Sequence, residues 1–191
     1  EGNPPLESGA SQNDMDFLHV FDIRKAEKAV ADGKTKLIAG MRVISLETAV
    51  SDGILHLVPE PKSPHGVDVT PDGKEIVIAG KLDTHATVYT IEKIKAAIEA
   101  KKYAGVDAYG IPILPFEDVI RGQVELGLGP LHTQYDDQGH AYPSLFLESV
   151  VAKWNLADLK LISKIPVHYN VGHITTPAGD TVSPDGGYLV L

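Results

Sequence analysis

The feature that most constrains this chain is a long internal repeat. Phe17-Leu18-His19-Val20-Phe21-Asp22-Ile23, Ala86-Thr87-Val88-Tyr89-Thr90-Ile91 and Val151-Ala152-Lys153-Trp154-Asn155-Leu156 each read as an apolar strand closing on an aromatic, a polar and an aliphatic residue. Their aromatics, Phe21, Tyr89 and Trp154, lie 68 and 65 positions apart. A second marker keeps nearly the same period. Thr70-Pro71-Asp72-Gly73, Tyr135-Asp136-Asp137-Gln138-Gly139 and Ser183-Pro184-Asp185-Gly186 are turn sequences between alternating segments, and Asp72 and Asp137 are 65 apart. Asp and Gly suit such turns because a positive φ costs Asp little and Gly nothing. A long period with several strands per unit is the signature of a β-propeller.

The repeat predicts an all-β fold: a partial β-propeller of about three blades with short surface helices. Residues 1–13, rich in Pro, Gly, Ser and Asn, read as a loop or connector. An incomplete blade is expected over 14–60, blades over about 65–125 and 132–170, and a truncated blade over 173–191. Helical insertions lengthen the period, at Arg24 to Asp32 and at Ile91 to Lys101. In the second, Ile91, Ile94 and Ile98 share one face, as in a helix packed on a blade edge. The chain opens on Glu1 and stops inside the apolar run Tyr188-Leu189-Val190-Leu191, which reads as an unfinished strand and hence as a fragment.

Charge and composition exclude several functions. With 17 Lys and Arg against 26 Asp and Glu, the net charge of −9 leaves no basic face for nucleic acid. No apolar run is long enough for a membrane span, the longest being strand-sized like Ile76-Val77-Ile78-Ala79. The absence of cysteine removes disulfides, thiolate metal sites and cysteine nucleophiles.

Among eight histidines, three stand apart by context. His65 in Ser63-Pro64-His65-Gly66, His132 in Gly129-Pro130-Leu131-His132 and His173 in Gly172-His173 sit beside Gly, two with Pro as well, ahead of a strand and turn. His65 precedes Tyr89 by 24 positions and His132 precedes Trp154 by 22, so the two are equivalent in successive blades. His173 opens the next unit. Residues entering the innermost strands of a propeller converge on its axis, so these imidazoles are expected to meet. Imidazoles without thiolates suit copper, zinc, iron or nickel better than calcium or magnesium. His140 and His168 read as structural, and His19, His56 and His85 as exposed strand or loop residues.

At these residues the chain resembles the nitrous-oxide reductase family. The likeness lies in Ser63-Pro64-His65-Gly66-Val67-Asp68-Val69-Thr70-Pro71-Asp72-Gly73, Gly80-Lys81-Leu82, Leu126-Gly127-Leu128-Gly129-Pro130-Leu131-His132-Thr133-Gln134, Ser144 to Asn155, and His168-Tyr169-Asn170-Val171-Gly172-His173. The segment Ile174 to Asp180 suggests the family's atypical branch. The resemblance implies a denitrification enzyme of the periplasm or cell envelope that reduces nitrous oxide to dinitrogen and water. It implies that the partial propeller belongs to a seven-bladed ring holding a sulfide-bridged multi-copper centre, with His65, His132 and His173 as catalytic metal ligands. It further implies a dinuclear copper centre in a C-terminal cupredoxin domain absent from this chain, a homodimer, and an electron donor such as a c-type cytochrome or a cupredoxin. A structural calcium is also implied, with Asp68 the position nearest to it.

Two other readings stay open on the residues alone. The propeller is also a common interaction platform, in which the histidines merely brace the channel. A calcium-dependent propeller hydrolase or lyase would instead need acidic residues where the histidines lie.

Overall fold

The computed structural model describes residues 16–60 and 62–191, so the connector expected over 1–13 lies outside the described residues. In chain order the elements are β1 (Asp16–Phe21), α1 (Ile23–Ala31), β2 (Lys36–Ile38), β3 (Met41–Val43), α2 (Leu46–Ser51), β4 (Leu55–Glu60), β5 (Pro64–Val69), β6 (Glu75–Gly80) and β7 (His85–Thr90). They continue with α3 (Ile91–Glu99), β8 (Gly105–Val106), β9 (Pro112–Ile113), α4 (Phe116–Val119), β10 (Ile120–Glu125), β11 (Pro130–Tyr135), β12 (His140–Leu145), β13 (Val150–Asn155) and β14 (Lys160–Pro166). Two compact units result, one built from 60–93 and 119–191 with Asp16, the other from 17–59 and 94–118.

The first unit holds two four-stranded antiparallel sheets, β5-β6-β7-β10 and β11-β12-β13-β14. This is the partial propeller that the repeat predicts. Both period markers fall at equivalent places: Tyr89 and Trp154 lie in the third strand of each sheet, and both are fully buried. The turns at Asp72-Gly73 and Asp136 to Gly139 join first strand to second in each sheet, with Gly73 at φ 69° and Gly139 at φ 82°. Thr70 and Asp136 close these turns: Thr70 Oγ1 bonds Asp72, while Asp136 Oδ1 accepts the amides of Gln138 and His140.

Alternation of apolar and polar residues puts Val77, Val88, Val124, Leu126, Tyr135, Leu145 and Trp154 into one core between the sheets. Arg121 clasps the outer ends. Its guanidinium pairs with Glu75 at 2.9 Å and donates to the carbonyls of Leu156 and Ala157. Beyond β14 the chain runs without regular structure apart from a bridge between Thr175 and Val190, where the truncated unit was expected.

In the second unit the architecture departs from the sequence reading. Residues expected to form an incomplete blade enter a mixed sheet, β1-β4-β9-β8, in which Leu57 pairs with Ile113 in parallel, so 16–60 is not an antiparallel meander. Phe21, the supposed first marker, is 55 % exposed at the end of β1. The cause is the insertion after β7: residues 105–113 supply strands that occupy the edge of β4. The two expected helices appear within a residue or two of expectation, and α2 and α4 are additional. Asp22 caps α1 by accepting from the Lys25 amide at 3.0 Å, and Ser45 caps α2 similarly. In α3, Ile94 and Ala97 are buried. Among the described residues no helix is long and apolar enough to cross a membrane.

Candidate metal centre

The three histidines singled out by repeat position meet in space. One nitrogen from each of His65, His132 and His173 lies within 4.8 Å of the other two. Ring centroids are 5.0 Å apart for His65 and His132, 4.9 Å for His132 and His173, and 6.3 Å for His65 and His173.

Two of them come from one structural device used twice. His65 lies in β5 where the register with β6 shifts between Pro64 and Gly66, and His132 lies in β11 where the register with β12 shifts between Pro130 and Thr133. A bulge inserts one residue, bends the strand and re-aims a side chain. Both bulges begin at a proline, which has no N–H to give the ladder. Flanking Pro and Gly were therefore the legible signal, but His65 and His132 are the second and third residues of their strands, not ahead of them.

His173 arrives from irregular chain that is tied down on both sides. Ser144 Oγ donates to the Gly172 carbonyl, and the Asn170 amide donates to Ser149 Oγ at 3.0 Å. Downstream, Gln134 accepts from the Thr176 amide at 3.2 Å and donates to Asp180 at 2.8 Å, while Thr176 Oγ1 donates to the Tyr135 carbonyl at 2.9 Å. Val171 and Ile174 bury their side chains on either side.

Strands β5 and β11 approach backbone to backbone beneath the cluster. A Cβ on Gly66 would fall on the Leu131 carbonyl oxygen and come within 3.0 Å of His132 Cα, so this crossing requires glycine. Asp68 spans the same seam. Its Oδ2 accepts the Thr133 amide at 2.7 Å, its Oδ1 lies 3.8 Å from His132 Nδ1, and its carbonyl accepts the Tyr135 hydroxyl at 3.2 Å. Asp68, the position that the resemblance puts nearest a structural calcium, turns its two carboxylate oxygens toward an amide and an imidazole.

Electrostatically the cluster favours neutral imidazole at His65. Burial lowers its pKa, and the neighbouring His132, His173 and Lys81 lower it further. Burial raises the pKa of Asp68, opposed by the Thr133 amide and His132. The remaining histidines join no such group. His140 bonds Asp136 at 2.8 Å, and His85 bridges Asp83 and Glu125 at 3.0 and 2.7 Å. His19 contacts the Phe17 carbonyl, and His168 is exposed. His56 corrects its expectation: it is only 2 % exposed, packed near Tyr103 in the second unit.

The donor set fits copper. Three imidazole nitrogens gathered within 4.8 Å of one another are a donor type that copper takes, and a depressed His65 pKa favours the ligating form.

Residues 164–191 match the nitrous oxide reductase propeller repeat. Nearly all of the chain aligns with curated nitrous-oxide reductases. It is 34 % identical over 196 residues to the nitrous-oxide reductase of Stutzerimonas stutzeri, covering 95 % of this chain and 29 % of that protein. It is similar to part of nitrous-oxide reductase, and its residues 164–191 are similar to that family's propeller repeat. The nitrous-oxide reductase of Ralstonia nicotianae is 33 % identical over 207 residues, 97 % of this chain and 30 % of its own length. The chain thus spans about three tenths of the curated relatives it matches. Among solved structures, Kuenenia stuttgartiensis hydrazine synthase is similar with a TM-score of 0.43 and 18 % identity over 61 % of this chain and 27 % of that one, too distant to bear on the assignment.

Proposed function

We propose that this chain is part of the copper-cluster domain of a nitrous-oxide reductase, and that His65, His132 and His173 are among the ligands of its catalytic copper. The observation that carries the reading is the convergence of three imidazoles from separate repeat positions on one point. When bound, copper supplies the two electrons that, with two protons, convert nitrous oxide to dinitrogen and water. The residues of this chain do the rest. The two bulges hold His65 and His132 in fixed directions, the Gln134 and Ser144 anchors hold His173, and the tight β5–β11 crossing keeps the spacing between them. Holding ligands in advance avoids reorganisation of the site at the moment of reaction.

On the same reading, electrons reach the centre from a dinuclear copper site in a cupredoxin domain of the whole protein, delivered by a c-type cytochrome or a cupredoxin. The whole protein works as a homodimer in the periplasm or cell envelope. The test is copper content and nitrous-oxide turnover of the full-length protein and of single alanine variants at the three histidines. Loss of both in each variant is expected. A full-length protein that folds, binds no copper and turns over no substrate would overturn the reading and favour an interaction platform.

A further inference from the structure

We propose that Asp68 is a positioning residue for His132, fixing which ring nitrogen faces the metal. The inference rests on the copper reading above. A metal-ligating histidine commonly has its other nitrogen facing a carboxylate, carbonyl or water, which fixes ring orientation and raises ligand basicity. Asp68 is placed to do this across two sheets. Its Oδ1 faces His132 Nδ1 at 3.8 Å, longer than a direct hydrogen bond but within ion-pair reach. Nε2 is then the nitrogen that meets His65 and His173.

The carboxylate is itself held. Oδ2 accepts the amide of Thr133, the residue following His132, at 2.7 Å, so the group that orients the ring is bonded to the backbone that carries it. The Asp68 carbonyl accepts from Tyr135 OH, two residues further along β11. With its side chain only 16 % exposed, Asp68 has little freedom to turn away. It belongs to β5, the strand of His65, so one residue couples the directions of two ligands from successive blades. Gly66 fixes the separation over which it acts, since a side chain there would force β5 off β11.

The experiment uses the full-length protein loaded with copper. Asp68→Asn keeps an oxygen for the Thr133 amide but removes the charge facing His132. Thermal unfolding should be little changed, while copper affinity at the cluster falls at least tenfold and the cluster's optical and paramagnetic spectra shift. Asp68→Ser, which also retains an acceptor, should behave alike, and Asp68→Glu should restore part of the affinity. His132→Ala is run in parallel. If His132→Ala loses copper while Asp68→Asn keeps wild-type affinity and spectra, the positioning role is wrong and the copper reading stands. If His132→Ala keeps full copper, the copper reading itself fails. Failure of both Asn and Ser variants to fold would assign Asp68 to docking the two sheets and overturn its role toward the ligand.

Discussion

The two compact units use histidine in opposite ways. In the unit of regular sheets, His65 and His173 are exposed, His132 is half-buried, and each faces the others. In the other unit, His56 is buried, its Nδ1 has no hydrogen-bond partner, and its nearest ring is Tyr103. Residue type alone does not separate them. Position does: two of the three converging histidines occupy the same bulge of the same strand in successive sheets, whereas His56 lies in a β4 that pairs in parallel with an inserted strand. A histidine placed by a repeat has partners related by that repeat, while one placed outside it has only its local core.

The largest effect that would break this contrast is at the cluster. His132→Ala in the full-length protein should lose most of the catalytic copper yet retain cooperative unfolding, because a half-exposed imidazole contributes little packing. Metal analysis beside calorimetry reads both, and undiminished copper would place His132 with His56. Next comes the strand crossing. Gly66→Ala should cost about 1–3 kcal/mol or more, since the obstacle is backbone on β11 that cannot rotate aside. Gly172→Ala, beside His173 with open space at its Cβ, should stay within about 0.5 kcal/mol. Equal melting temperatures for the two variants would deny that β5 and β11 are held at glycine distance.

A smaller effect tests a histidine of the first unit outside the cluster. His140→Ala removes the bond to Asp136, which also accepts from Tyr142 at 2.8 Å, and should cost about 1–2 kcal/mol with copper content unchanged. Copper loss there would show that repeat position does not discriminate. The smallest is a pH dependence confined to the second unit. Burial, and secondarily Lys25, lower the pKa of His56 below its ordinary 6.5, with Asp22 opposing. The unfolded chain therefore takes up the proton first as pH falls. The contribution of neutral His56 is fully present above pH 6.5 and is lost as pH drops toward the depressed folded value. Hydrogen exchange of the β4 amides, compared above and below pH 6.5, should show this loss, and His56→Leu should flatten it.

Much of the first unit was legible because its signals are local. Turn residues at Asp72-Gly73 and Asp136 to Gly139 and aromatics at Tyr89 and Trp154 each report on a few neighbours, and their recurrence gives the sheets and the equivalence of His65 and His132. The second unit was not legible in this way. Parallel pairing of Leu57 with Ile113 joins positions far apart in the chain through short strands with no turn between them, and nothing at Phe21 distinguishes an exposed strand end from a blade aromatic. At the site, the histidines were visible and the seam beneath them was not. Gly66 and Asp68 act across to Leu131, His132 and Thr133, and such contacts leave no spacing pattern within either strand.

The insertion between β7 and β10 also has a consequence for the order of folding. Every turn of the sheet β11-β12-β13-β14 is short, so its hairpins close with little loop entropy. The sheet β5-β6-β7-β10 has to bring Ile120 back to Tyr89 across the whole of residues 90–119 before its last strand docks. One blade can therefore close before its neighbour has its edge strand, and the β5–β11 seam joins the two. Because His65 and His132 belong to different sheets, the site for an ion is complete only once β5 and β11 have packed.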